Sequence, residues 1–319
     1  MNLNRYGLPF FAFLGLFFHL PAYSDEFGSS SSVGGGTLSQ TLSLSKRFKD
    51  PKAEESQSIY LAYTLTQNEV GSTTGSTSDA FNYTHALSTT YSVSGKTRRG
   101  FSGSFSTTPA ENLSSFGGTG FLSKKFELGT RTDDEEEEES YLPTLGLRGS
   151  VGYQHYAQTV TEDSGRQRKG SQRKRPKTQD QSIGKVSMDL TVNFDPFEWF
   201  GVYGSYSRYL YTRDVSDFMD VLDDPRAIAS GAAEFSSTLS GFSSKEIEAG
   251  VDFTFPLDLS LAISKSLATN EVTSVLTHAY SVELSKDWGK SWTTGLGADR
   301  YVSNGSEQDL YNLSLSYSF

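Results

Sequence analysis

The chain has 319 residues, no cysteine, and 28 lysines and arginines against 38 aspartates and glutamates, for a formal net charge of −10. Without cysteine there can be no disulfide framework, thiol chemistry or cysteine-ligated metal site. The acidic balance argues against nucleic-acid binding, because a protein that neutralises phosphates needs a basic face. Hydrophobic residues make up 35% of the chain and mean hydropathy is negative, which argues against a helical membrane bundle.

The N-terminus has the pattern of a secretory signal. Arg5 precedes an apolar run over residues 10–20, a proline breaks the run, and Ala-Tyr-Ser at 22–24 provides a cleavage site. We therefore expect residues 1–24 to be a signal peptide cut after the serine, which leaves 25–319 as the mature protein.

Most of the remaining chain alternates apolar with small polar residues, in segments of about ten residues, the length of a membrane-crossing strand. The segments that begin at Leu122 and Leu145 are weak, whereas the others are clear. In chain order, the apolar sets begin at Leu38, Ile59, Phe81, Phe101, Leu122, Leu145, Val186, Trp199, Ile247, Leu257, Leu276, Trp292 and Tyr311.

The last segment is the clearest. Its apolar residues alternate strictly with asparagine and serine, so one face of the strand meets an apolar medium and the other face meets water. The residues of that face are Tyr311, Leu313, Leu315, Tyr317 and the terminal Phe319. An export signal combined with a final strand ending in phenylalanine resembles the Gram-negative outer-membrane β-barrels. The resemblance implies an all-β, transmembrane, antiparallel up-and-down β-barrel in the cell outer membrane, whose barrel-assembly machinery reads the C-terminal strand.

The number of strands has two solutions. The thirteen apolar sets make an odd number, whereas a chain that starts and ends in the periplasm needs an even one. Either residues 25–36 add a serine-rich first strand, giving fourteen, or the weak segment 122–128 is no strand, giving twelve. We favour fourteen strands, because a twelve-stranded barrel would break the alternation of short periplasmic turns with long external loops near 160–180 and 214–244. Fourteen strands place the acidic run 133–139 in an unusually long periplasmic turn.

The predicted inner face is mostly small and polar, with a minority of charges. Excess carboxylates in a tube of low dielectric constant would raise the local concentration of cations. Alternatively, the charges pair across the lumen and fill it, and twelve to fourteen strands lie between the sizes of filled and open barrels. The candidate pore-lining residues are Asp189, Glu248, Asp252, Glu283, Asp299, Arg148 and Arg208.

One predicted external loop carries a basic run. It could bind lipopolysaccharide phosphates through charge-assisted hydrogen bonds, or be a solvated loop. Its residues are Arg166, Arg168, Lys169, Arg173, Lys174, Arg175 and Lys177. The acidic run 133–139 lacks the spaced ligands and glycine of a calcium loop, so we expect no metal site and no cofactor.

Aromatic residues cluster toward the predicted strand ends, where girdles anchor barrels at the lipid interfaces. A sugar-binding aromatic track is the alternative. These residues are Trp199, Tyr203, Tyr209, Tyr211, Trp288, Trp292, Tyr301 and Phe319.

Catalysis finds little support in the sequence. None of His85, His155 and His278 stands two residues from a serine, the spacing that would put a base and a nucleophile on one strand face. We therefore expect no catalytic residue. The sequence favours a passive channel for small hydrophilic solutes with a mild cation preference. The alternatives are a non-conducting structural, adhesive or recognition barrel that acts through its external loops and, third, an outer-membrane enzyme.

Overall fold

A computed structural model describes residues 24–34, 37–49, 55–70, 80–109, 113–129, 141–162, 177–215, 242–271, 274–289, 291–303 and 306–318. Among these residues no helix is long and apolar enough to cross a membrane. The strands are β1 (Ser24–Gly34), β2 (Thr37–Lys49), β3 (Ser56–Val70), β4 (Ala80–Ser94), β5 (Thr97–Thr108), β6 (Leu113–Glu127), β7 (Thr144–Glu162), β8 (Lys177–Phe197), β9 (Phe200–Tyr211), β10 (Ser243–Phe255), β11 (Leu259–Asn270), β12 (Leu276–Trp288), β13 (Trp292–Ser303) and β14 (Ser306–Ser318).

The strands form one closed antiparallel barrel in which each pairs with its neighbours in sequence and β1 pairs with β14. The all-β barrel prediction is confirmed, and of its two strand counts fourteen is correct and twelve is wrong. The serine-rich first strand exists because both its edges are paired: Ser30 lies opposite Ser314 on β14 and Thr41 on β2. The weak segment at Leu122 belongs to β6, which begins nine residues earlier, at Leu113.

The two ends of the barrel differ in their connections. At the end where β1 begins and β14 finishes, which we call the terminal end, β4–β5 and β8–β9 are joined by two residues each and β10–β11 by three. The opposite end, the loop end, carries the connections 163–176 and 212–242. The loop predicted at 160–180 is therefore shorter than expected, because its outer residues belong to β7 and β8, whereas the loop predicted at 214–244 lies two residues earlier, at 212–242. The acidic run 133–139 lies outside the described residues, in the connection from β6 to β7 at the terminal end.

One tight turn at the terminal end uses left-handed backbone. Leu257 and Asp258, between β10 and β11, have φ of 70° and 57°. Two successive residues with positive φ reverse a hairpin in a sense that matches the right-handed twist of its strands. Leucine seldom adopts a positive φ, and the side chain of Leu257 is 82% exposed.

The strand register separates an apolar outer face from a polar inner one. Paired residues share a face, so Val151, Met188 and Arg208 lie side by side on the outside, while Ser150, Asp189 and Ser207 lie side by side on the inside. Apolar outer residues stay uncovered by protein: Val151, Leu296 and Leu313 are 57–59% exposed. An uncovered apolar band around a closed barrel is the surface that lipid covers in membrane barrels.

Candidate functional site

Polar cavities lie along the inner wall of the described part of the barrel, and we consider three, of about 280, 280 and 190 Å³. The first lies against β1, β2 and β12–β14 and is lined by Thr41, Ser281, Glu283 and Asn312 among others. The second shares Ser281 and Asn312 with the first and adds Glu248 and Asp299. The third lies against β5–β9 and includes Asp189. Hydroxyl, amide and carboxylate groups thus surround the space inside the barrel.

Three of the predicted carboxylates are held by neutral hydrogen-bond donors. Asp299 accepts hydrogen bonds from the Ser281 hydroxyl at 2.5 Å and from the Asn312 side-chain amide at 2.7 Å. Asp189 accepts one from the Ser150 hydroxyl at 2.7 Å.

Glu248 accepts a hydrogen bond from the phenol of Tyr203 at 2.9 Å. Glu283 lines the first cavity. Asp252 lies four residues after Glu248 on β10, so both side chains point to the inner face, where Asp252 is paired with Ala262 of β11. Within the described residues, no lysine or arginine lies within 4 Å of the Glu248, Asp252, Glu283 or Asp299 carboxylates. Their charges are therefore not cancelled by direct ion pairs there.

Basic residues occupy a different arc of the inner wall, over β5–β8. Arg148 faces inward and lies 4.7 Å from the centre of the Phe121 ring, with Arg98 at 6.0 Å from the same ring. Lys185 lies 4.9 Å from the ring of Tyr209, and Lys125 pairs with Asp195 at 3.4 Å. The lumen is therefore basic on one side and acidic over β10–β13.

Sequence reasoning missed part of this lining. Glu246 faces the second cavity and accepts a hydrogen bond from Tyr209 at 3.3 Å. Glu246 lies two residues before Glu248, and side chains two residues apart in a strand share a face. The predicted inward position of Glu248 therefore implies an inward position for Glu246. The same period of two would have identified Arg98 and Lys185. Arg98 lies four residues before Ser102, and Lys185 lies four residues before Asp189, and both of these later residues line the third cavity.

The structure places six of the seven predicted pore-lining residues on the inner face, and the prediction for Arg208 is wrong. Arg208 pairs with Met188 and Lys245, which lie on the outer face. Both faces of β9 carry aromatic residues, Tyr203 and Tyr209 inside and Tyr206 outside, so hydrophobicity alone could not determine which face points outward.

The same ambiguity affects the predicted aromatic girdle. Trp199, Trp288 and Trp292 are exposed, as a girdle requires. The other described members of the predicted set do not belong to it: they face the lumen, because they pair with inward residues of neighbouring strands. These are Tyr203, Tyr209, Tyr211 and Tyr301.

An apolar cluster lies inside the barrel at the loop end, on or next to β7–β10. Phe242, just before β10, contacts the inward rings of Tyr156 and Tyr211, with centroids 5.8 and 5.5 Å away. Phe242, Ile183 and Val215 are each 1% exposed. Small inward residues near this end are also buried on the strands to either side, β4–β6 and β11–β12: Thr84, Thr108, Ser115, Ala268 and Thr277. The polar cavities therefore lie beneath a packed loop end.

The remaining predicted residues lie on the outer face or outside the described part of the chain. Tyr311, Leu313, Leu315 and Tyr317 all point outward on β14, and Phe319 is not described. Of the basic run, Lys177 is the first residue of β8, and Arg166, Arg168, Lys169, Arg173, Lys174 and Arg175 lie outside the described residues. The predicted signal peptide is likewise not described before Ser24.

The three histidines lie on the outer face, His85 and His278 near the loop end and His155 nearer the middle of its strand. His85 Nδ1 lies 2.7 Å from the Tyr63 hydroxyl, His155 stacks obliquely on Phe116, and His278 pairs with Leu267.

No model of a known protein family matches the chain, and no curated protein matches it. Solved structures of similar shape include the KdgM porin in complex with disordered oligogalacturonate, at 10% identity and a TM-score of 0.39 over 92% of this chain and 99% of that one. The CymD monoaromatic hydrocarbon channel is 11% identical, with a TM-score of 0.42 over 94% and 88%. Pseudomonas aeruginosa OpdK with vanillate is 8% identical, with a TM-score of 0.37 over 93% and 97%.

Proposed function

We propose that the chain forms a passive outer-membrane channel for small hydrophilic solutes, with a mild preference for cations. The observation that carries this proposal is the set of inward carboxylates around the polar cavities, Asp189, Glu248, Asp252, Glu283 and Asp299. A hydrated solute that enters this space can replace its hydrogen bonds to water by hydrogen bonds to hydroxyl and amide groups, with little loss of free energy. No chemical step is required of the protein.

The cation preference follows from how the carboxylates are held. Ser281, Asn312 and Tyr203 donate hydrogen bonds to them but bring no positive charge. Negative charges on low-dielectric walls focus the field into the lumen and concentrate counter-ions there. The basic arc of Arg98, Arg148 and Lys185 offsets this effect only in part, so a mild preference is the expectation.

Several partners belong to the same proposal. The terminal end would lie in the periplasm and the loop end outside, after removal of residues 1–24. The barrel-assembly machinery would read the final strand with its outward face from Tyr311 to Phe319. The basic run from Arg166 to Lys177 would face the phosphates of lipopolysaccharide at the cell surface.

A second candidate function, a non-conducting barrel that acts through its external loops, is favoured by the packed loop end. Phe242 packs against the inward rings of Tyr156 and Tyr211 and is 1% exposed, at a level of the lumen where an open pore would carry water. The two candidates differ in one measurable property, the passage of ions through the folded barrel.

The test is conductance of the refolded mature chain in a planar bilayer, with the reversal potential measured in a potassium chloride gradient. Discrete openings with a cation-selective reversal potential are expected. Glu283→Gln should reduce the selectivity, because Glu283 lines the first cavity. Asp309→Asn is the matched control: it removes the same charge from the outer face, where Asp309 pairs with Arg300. Equal selectivity in wild type and Glu283→Gln would contradict the role of the carboxylates, and a folded barrel that never conducts would favour the second candidate.

A further inference from the structure

Two cations lie directly opposite each other on the outer face of the barrel. Arg208 on β9 and Lys245 on β10 are register partners, and both are exposed. Like charges directly opposite each other across two strands destabilise a sheet. This pair therefore needs a compensating anion.

The protein does not provide that anion among its described residues. No carboxylate there lies within 4 Å of Arg208 or Lys245, and the adjacent Glu246 points into the lumen. Two other outward cations toward the loop end have partners among the described residues. Arg300 pairs with Glu307 and, at 3.9 Å, with Asp309, and Lys265 lies 5.1 Å from the ring of Tyr280.

The surroundings of the pair are apolar. Its outer-face neighbours Met188, Tyr206, Leu210 and Ile247 are 45–47% exposed, so lipid rather than water would cover this surface. A cation in such surroundings is costly unless an anion accompanies it. The missing anion is therefore expected to come with the lipid.

The position along the barrel puts the pair near the membrane interface at the loop end. Arg208 lies three residues before the end of β9, and Lys245 lies two residues after the start of β10. Outward tyrosines lie in the loop-end half of their strands, with Tyr206 two residues from Arg208 on β9, and Tyr280 and Tyr311 four and five residues after the starts of β12 and β14. Tyrosine rings prefer the headgroup region of a bilayer.

We propose that Arg208 and Lys245 together bind a phosphate group of a phosphorylated glycolipid, the lipopolysaccharide of the outer leaflet. A guanidinium can engage two phosphate oxygens, and the neighbouring ammonium supplies a point charge for a third. The site rests on the membrane orientation of the proposed function but not on conduction, so the barrel could bind this lipid whether or not it is open.

The experiment measures the thermal stability of the folded barrel in liposomes, as the temperature at which the heat-modifiable band converts to the unfolded one. The liposomes contain phosphatidylcholine alone, or with bisphosphorylated lipid A, dephosphorylated lipid A or phosphatidylglycerol. For the wild type we expect bisphosphorylated lipid A to raise this temperature, and the other two additives to raise it less. Arg208→Gln/Lys245→Gln should lose most of the increment.

The matched control is Arg98→Gln/Arg148→Gln, which removes two positive charges from the inner face and should keep the increment. The single variants Arg208→Gln and Lys245→Gln, each expected to lose part of it, preserve the test if the double variant does not fold. Three outcomes would overturn the proposal: a full increment in the double variant, an equal increment from dephosphorylated lipid A, or an equal increment from phosphatidylglycerol. Conductance measured in phosphatidylcholine alone tests the channel separately.

Discussion

Phe242 packs edge-on against Tyr156, with ring centroids 5.8 Å apart and ring planes at 69°. Tyr156 faces inward from β7, whereas Phe242 precedes β10, so the contact joins parts of the wall that are three strands apart. Edge-to-face packing of two aromatic rings is favourable by about 0.5–1.5 kcal/mol beyond the area it buries. This contact narrows the lumen at the loop end.

Phe242→Ala should therefore raise the conductance of the barrel, because it removes the ring that lies between Tyr156 and Tyr211. Single-channel recording in planar bilayers measures the change. Phe255→Ala removes an outward phenylalanine at the other end of β10 and should leave the conductance unchanged. If both variants conduct like the wild type, the narrowest part of the lumen lies elsewhere.

Asp299→Ala should destabilise the barrel, because the Ser281 hydroxyl and the Asn312 amide would lose their acceptor. Hydrogen bonds to a charged group contribute about 1.5–3 kcal/mol each, and lumen water can replace part of this, so we expect a loss of about 1–3 kcal/mol. Urea unfolding in lipid vesicles measures it. Asp252→Ala is the control, since Asp252 accepts no hydrogen bond from a described side chain; equal losses in both variants would argue against the network.

Val151→Arg should block membrane assembly, whereas Ser150→Arg should be tolerated. Val151 is 59% exposed on the outer face, and an arginine at the bilayer midplane of a barrel costs about 2–4 kcal/mol. Ser150 points inward to Asp189, whose carboxylate could pair with the new guanidinium. The fraction of protein that folds into vesicles measures both effects. Equal tolerance would show that this part of β7 does not cross lipid.

Phe319→Ala should lower the amount of folded, heat-modifiable barrel in outer membranes, if the final strand is the assembly signal. Gel mobility of unheated and heated membrane fractions provides the measurement. Ser316→Ala changes an inward position of the same strand and should have little effect. Unchanged assembly in Phe319→Ala would remove this role of the C-terminal residue.

The strands could be predicted where their two faces differ in polarity. β14 alternates strictly, and the structure keeps its apolar residues outside. β9 has tyrosines on both faces, which is why Arg208 was placed in the lumen although it pairs with Met188 outside. β1 has only Phe27 and Val33 as large apolar residues on its outer face, so its existence rested on strand number rather than on its own pattern.

The candidate site was predictable residue by residue but not as an arrangement. The period of two placed Asp189, Glu248, Asp252, Glu283 and Asp299 on one face of their strands without any knowledge of their partners. The hydrogen bond from Asn312 to Asp299 depends on the register of β14 against β13. Register is set by turn geometry and closure, and a local pattern does not contain it.

The sequence by itself determined strands with one apolar and one polar face, because hydrophobic alternation is a local property of each strand, and its resemblance to outer-membrane barrels implied that these strands close into a ring. Only the tertiary structure decided that the lumen is acidic on one arc and basic on another, that Phe242 closes onto Tyr156, and that Arg208 meets Lys245 on the lipid face. Each of these depends on which residues distant in the chain become neighbours when fourteen strands close into a ring. The strand pairing and the closure of the whole barrel decide which residues become neighbours.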